Sequence, residues 1–195
     1  KSTRPMYAPE DYKAIADENV RKKIAAIEDP DERNKATIEA QQEQWKNKAV
    51  NDTYEPGSVF KPITMSSALE EGVTNMDDTF NCPGYHMVGK KKIKCANRSG
   101  HGHETLTQAM MNSCNPVHME LGERLGVAKF SQYFKAYGLT AATGIDLPGE
   151  SAGLYHKENE MTKLDLAESA FGQSMTVTPI QLITAISAVV NGGYL

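Results

Sequence analysis

The sequence predicts a mainly α-helical chain carrying one small β-hairpin. Three observations point there. Apolar residues recur at helical spacing through much of the 195 residues. Glycines fall where helices should stop, at Gly72, Gly126 and Gly138. Strand-like composition, β-branched residues among Gly84 and Gly89, is confined to Thr79–Cys95.

The elements follow in order. Residues 1–50 are polar and are read as a helical appendage leading into the domain. Ile15, Val20, Ile24 and Ile27 recur behind Asp11, which predicts a first helix. Pro30 ends it, and Asp31 can cap a second helix reaching about Lys48, polar except at Ile38 and Trp45. The composition changes at residue 51. Glu55-Pro56-Gly57 signals a turn, and Ser58–Glu71 reads as a helix with Phe60, Ile63, Met65, Ala68 and Leu69 as its apolar positions. After the hairpin, Asn97–His103 reads as a loop and Thr105–Asn112 as a short helix. Pro116–Leu125 and Ala128–Tyr137 read as helices, and Gly144–Glu150 as a turn-rich connector. Leu164–Ala170 is a further helix. Thr178-Pro179 starts the last one, a cap residue followed by proline at the first helical position, and Asn191-Gly192-Gly193 ends it.

Composition excludes some functions. A net charge of −4 argues against binding nucleic acid, and Lys90-Lys91-Lys92 with Lys94 reads as a solvated hairpin tip. No apolar run reaches the ~18 residues of a membrane span. Gln181, Thr184 and Ser187 interrupt the longest candidate, Ile180–Val190. No signal peptide is visible, and the chain is expected to come from something longer whose anchor or export signal lies elsewhere.

The chemistry is concentrated at Ser58-Val59-Phe60-Lys61. Residues three apart on a helix share a face, so the hydroxyl and the amine can meet. A serine attacks only when a base takes its proton, and a lysine is such a base only when burial or neighbouring positive charge lowers its pKa. A helix start at Gly57-Ser58 also offers unpaired N–H groups to a developing oxyanion. Taken alone, Ser-x-x-Lys is usually an exposed helix pair. Its surroundings change that reading.

The stretch Tyr54-Glu55-Pro56-Gly57-Ser58-Val59-Phe60-Lys61-Pro62 is very similar to the nucleophile segment of penicillin-binding proteins. Ser113-Cys114-Asn115 falls where that family carries its Ser-x-Asn motif. Gly144–Glu150, Phe171-Gly172-Gln173-Ser174, Thr178–Leu182 and Asn191-Gly192-Gly193 follow in family order. From about residue 45 onward the chain resembles the transpeptidase domain of a class B penicillin-binding protein. The resemblance implies an α+β parent fold, related to the serine β-lactamases, of which residues 51–195 carry mainly the helical part and little of the central sheet. It implies Ser58 as nucleophile, Lys61 as general base, Ser113 as proton relay and Asn115 as a substrate-binding residue. The partners it implies are peptidoglycan stem peptides, β-lactam antibiotics and other cell-wall synthesis and division proteins. The parent would be anchored by an N-terminal segment, with this domain on the outer face of the bacterial cytoplasmic membrane. The family's third motif, Lys-Thr/Ser-Gly, is absent: Lys129, Lys135, Lys157 and Lys163 all lack the following Thr-Gly or Ser-Gly. The piece is therefore expected to be nearly inactive alone.

Other readings stay open. A penicillin-sensing receptor shares the fold and the Ser-x-x-Lys helix. A β-lactamase would need a water-activating group, such as a well-placed glutamate or a modified lysine, and Glu150 and Glu168 qualify only by charge. A helical interaction module without chemistry would fit the polar first helices. The chemistry itself calls for no cofactor, but Cys82, Cys95, His101 and His103 lie close enough in sequence for a structural zinc. A Cys82–Cys95 disulfide and free thiols are the alternatives, and Cys114 is read as filling its motif.

Overall fold

The computed structural model describes residues 9–195 and divides the chain into two units, Lys1–Lys48 and Ala49–Leu195. In the first, a 3-10 turn at Pro9–Asp11 precedes α1 (Glu18–Ala25) and α2 (Pro30–Trp45). Neither helix buries a residue fully. Polar bonding compensates in part. Gln44 accepts from the Ala16 N–H and donates to the Ala14 carbonyl, and the Trp45 indole donates to the Tyr12 carbonyl at 2.8 Å. The helix starts differ from the sequence reading. Asp17, not Asp11, caps α1, and Asp29, not Asp31, caps α2. The first helix already ends at Ala25, so Pro30 does not break it but opens α2. Its missing N–H is one that a first-turn residue would leave unbonded anyway.

The short α3 (Lys48–Asn51) leads on, and the second unit is built around α4 (Lys61–Glu70) and the long α6 (Asn115–Ala136). A 3-10 turn, Gly57–Phe60, precedes α4, so Ser58 sits on that turn rather than in the α-helix expected from residue 58. The α6 helix breaks at Gly126, whose φ of 72° only glycine adopts readily, as the expected stop there required. Beyond it come α7 (Lys163–Ser169) and α8 (Pro179–Val190). Thr178 and Gln181 form a capping box at the start of α8, and the Gln181 amide donates to the Ala141 carbonyl at 2.7 Å.

The strand region is richer than one hairpin. β2 (Tyr85–Val88) and β3 (Lys91–Lys94) form the expected hairpin with its turn at Gly89-Lys90. β1 (Thr79–Cys82) instead pairs antiparallel with β4 (Gly102–Thr105), which overlaps the end of the stretch read as a loop, Asn97–His103. β4 ends where Thr105 caps α5 (Leu106–Met111).

The core joins Phe60, Ile63 and Ala68 of the nucleophile segment to Val117, Leu121, Phe130 and Phe134 of α6 and to Leu166 and Leu182. Phe60 lies 6.2 and 6.0 Å from the Phe130 and Phe134 rings, centroid to centroid, tilted in both cases. A second cluster of Val88, Met119, Ala167 and Phe171 attaches the β2–β3 hairpin.

The α6–α7 crossing is close because Gly122 has no side chain. A Cβ there would lie 2.6 Å from the Ala170 Cβ. Gly122→Ala therefore sets a helix-propensity gain of about 1 kcal/mol against overpacking of about 1–3 kcal/mol. Urea denaturation is expected to show a net loss of stability. A gain would mean the crossing is looser than described.

Candidate functional site

The site forms where three separated segments meet. Gly57, at φ 57°, turns the chain into the 3-10 turn, and its N–H donates to the Gly172 carbonyl at 2.8 Å. That approach requires glycine at 172, since a Cβ there would run into the Gly57 carbonyl. Ser58 is exposed on the turn. Lys61, one turn on, is 1% exposed.

Ser113 and Asn115 arrive from the other side. The α5 helix ends at Asn112, and Ser113 adopts a left-handed φ of 52°. The Ser113 and Cys114 N–H groups close the helix end on the Met110 and Ala109 carbonyls, so this strained backbone doubles as a C-terminal cap. Asn115-Pro116 then starts α6.

Four oxygens surround the Lys61 amine. Ser113 O and Asn115 Oδ1 each lie at 2.6 Å, Ser113 Oγ at 2.9 Å and Ser58 Oγ at 3.2 Å. The first two can only accept. A neutral amine has two N–H groups, which satisfies both, and keeps a lone pair that can take a proton from either hydroxyl. Burial pulls the Lys61 pKa down to about 8; the nearby Cys114 and Cys95 sulfurs oppose the shift. Three of the residues singled out in the sequence, Ser58, Ser113 and Asn115, thus lie within hydrogen-bond reach of the nitrogen of the fourth, Lys61.

His118 was not legible as part of this site. It is fully buried one turn along α6, and its Nδ1 lies 2.8 Å from the Cys114 carbonyl. A carbonyl accepts only, so Nδ1 carries the proton. Burial holds its pKa near 4, so His118 is neutral and adds no positive charge beside Lys61. The carboxylates considered for water activation are engaged elsewhere. Glu150 accepts from the Thr143 N–H and hydroxyl and from the Gly144 N–H, while Glu168 pairs with Lys91.

The cysteine cluster has a different membership from the one expected. Cys82, Cys95, His101 and Cys114 bring one ligand atom each within 4.8 Å of one another. His103 is not among them: it is exposed on β4, opposite Asn81. His101 precedes β4 and is set off from His103 by Gly102 at φ 70°, while within β4 alternation puts buried Glu104 on the opposite face from exposed His103. All three cysteines are free and buried. Three thiols and an imidazole suit zinc, and Cys95 Sγ to His101 Nδ1, 3.8 Å, is close to the ~3.6 Å edge of a tetrahedron with zinc bond lengths. Beside them Glu104, 3% exposed, leaves its Oε1 without a hydrogen-bond partner, 3.9 Å from His101 Nδ1. A buried acceptor in that position favours a nearby cation.

Comparison with known proteins shows the family and the fold. Residues 14–195 match the family described as penicillin binding protein transpeptidase domain. Stage V sporulation protein D of Bacillus subtilis is 40% identical over all of this chain, which covers 26% of that protein. Peptidoglycan D,D-transpeptidase MrdA of Acinetobacter baumannii is 30% identical over 75% of this chain and 24% of its own length. The chain thus spans about a quarter of the curated relatives it matches. Among solved structures, a peptidoglycan synthetase from Bifidobacterium adolescentis superimposes with a TM-score of 0.73 at 32% identity, over 80% of this chain and 28% of that one. A structure of Pseudomonas aeruginosa PBP2 in complex with WCK 5153 gives 0.75 at 25% identity, over 82% and 40%. With the family match extending over nearly its whole length, the chain belongs to the transpeptidase domain family of the class B penicillin-binding proteins.

Proposed function

We propose that this chain supplies the acylating residues of a peptidoglycan D,D-transpeptidase that cross-links the cell wall. The observation that carries the reading is the buried Lys61 amine, held at 2.6–3.2 Å from Ser58, Ser113 and Asn115 with its pKa lowered to about 8. Ser58 Oγ attacks the carbonyl of the D-alanyl-D-alanine bond. Its proton passes to Lys61, and the Ser58 N–H is one donor to the oxyanion. Ser113, 2.9 Å from Lys61, relays a proton to the leaving amine. The peptide C–N bond breaks, terminal D-alanine departs, and an ester to Ser58 remains. Asn115 holds Lys61 through Oδ1, leaving its amide N–H₂ for the substrate's peptide group. The amine of a neighbouring stem peptide then attacks the ester and frees Ser58. A β-lactam forms the same ester, but its ring-opened leaving group stays attached and blocks the second step.

Residues 51–195 are the transpeptidase part in this reading and 1–50 the appendage. The parent works on the outer face of the cytoplasmic membrane, held there by an anchor outside these residues. Among the described residues, no helix is long and apolar enough to cross a membrane. Cell-wall synthesis and division proteins are its partners. The second oxyanion donor and the carboxylate-binding group come from the Lys-Thr/Ser-Gly segment, so residues 1–195 alone acylate poorly. The sensor reading uses the same ester without passing it on; stem-peptide cross-linking by the parent separates the two.

Labelling with a fluorescent penicillin tests the site. The parent is expected to label at Ser58, and Ser58→Ala not at all. Because the base works unprotonated, the rate should climb with pH and level off above about 8. A flat profile removes Lys61 as the base. Residues 1–195 alone should label at least ~10²-fold more slowly, the usual effect of losing an oxyanion donor. Labelling as fast as the parent's would refute the incomplete-site proposal.

Cys82, Cys95, His101 and Cys114 hold a structural zinc in the same proposal, and the reaction does not pass through it. Elemental analysis is expected to find about one zinc per chain. Cys82→Ser should lose it and lower the melting temperature, since binding that only the fold permits adds to folding stability. A metal-free protein that melts no lower than the loaded one would end the zinc assignment.

A further inference from the structure

The loop before Ser58 is fastened to residues 172–177 at three points. Tyr54 and Val177 exchange two backbone hydrogen bonds of 3.0 Å, and the Gly57 N–H donates to the Gly172 carbonyl at 2.8 Å. Between them the Ser174 N–H donates to the Glu55 carboxylate at 3.0 Å. Of the three, this fastening alone depends on a side chain, three residues ahead of the nucleophile. It also depends on Ser174 keeping a φ of 62°, a left-handed conformation that a non-glycine residue holds only when its surroundings impose it.

What lies against Ser174 supplies that constraint. His156 Nε2 is 3.1 Å from Ser174 Oγ and 3.7 Å from Asp165 Oδ1. The other Asp165 oxygen accepts from the Thr162 N–H and hydroxyl in the capping box of α7. Asp165 is thus fixed to a helix start, and a carboxylate facing Nε2 favours the tautomer with the proton there. That N–H points between Asp165 and Ser174, and the serine hydroxyl accepts.

We propose that His156 is a positioning residue for the nucleophile. Anchored by Asp165, it holds Ser174 left-handed, and Ser174 through Glu55 holds the loop that carries Ser58. The assignment rests on Ser58 being the nucleophile. His156 has no contact with the reacting atoms; it acts by keeping the Ser58 hydroxyl aligned on Lys61. Orientation of this kind is sensitive, since a displacement of ~1 Å can cost ~10²-fold in rate.

The test compares His156→Ala and His156→Gln in the full parent protein. Glutamine's Nε2 can donate where the histidine N–H does. Stopped-flow acylation by a fluorescent penicillin separates initial binding from ester formation, and hydrogen exchange reads the Gly57 amide bonded to Gly172. With alanine, ester formation is expected to slow about tenfold while initial binding stays within about twofold. The Gly57 amide should exchange faster, and glutamine should restore most of both. An alanine variant with unchanged acylation and unchanged Gly57 protection overturns the proposal, as does a glutamine variant no better than alanine. If the parent takes no penicillin, the reading of Ser58 falls, and the exchange of Gly57 alone decides whether His156 secures the loop.

Discussion

Everything in the second unit converges on one buried nitrogen. An amine cannot be taken out of water cheaply unless its hydrogen-bonding capacity is met. Here Ser113 O and Asn115 Oδ1, both at 2.6 Å, meet it from a segment more than fifty residues away in sequence. That requirement dictates the path of the chain. The α5–α6 junction must be tight enough to present a carbonyl, a hydroxyl and an amide in three consecutive residues. The left-handed Ser113 achieves this, and the Cys114 side chain, pointing into the core, pins the junction from behind. Neutral His118 secures the Cys114 carbonyl without adding charge.

How much of this the sequence reveals depends on the range of the interaction. Ser58 and Lys61 meet because they are three apart, so spacing alone suggested the contact, although the turn between them proved to be 3-10. Thr178-Pro179 announces a capped helix start for similarly local reasons, and the structure has it, with Gln181 completing a capping box that the sequence reading does not include. The two aspartates flanking Pro30 were harder, because either can cap and only the observed first turn chooses Asp29. Ser113 and Asn115 could be placed only through the ordered motifs of a family. No periodicity connects residue 113 to residue 61.

The strand region shows the opposite limit. His103 is taken into β4 by its pairing with β1, whereas His101, just ahead of the strand, joins Cys82 and Cys95; where β4 begins is a non-local choice that a single sequence does not encode visibly. Cys114 was read as a small residue filling its motif, and it does fill the core. It also sits with the other two cysteines because the same junction that delivers Ser113 to Lys61 faces the strands on its other side. One three-residue segment thus serves two clusters.

The buried amine also sets stability and chemistry against each other. Its folded-state pKa, about 8, lies below the ~10.4 of a lysine in water. Below pH 8 the group is charged whether folded or not, and folding bears the full cost of desolvating that charge. As pH rises from 8 toward the unfolded value, the folded amine is neutral while the unfolded one still binds a proton, so the penalty is progressively relieved. Near neutrality the fold therefore holds a residue that opposes it. Phe60, Ile63 and Ala68 beside it, packed on Val117, Phe130 and Phe134, offset the cost by apolar burial. A lysine left in water would be easier to fold around and useless as a base. The position of the aromatic core directly behind the Ser-x-x-Lys turn follows from that conflict.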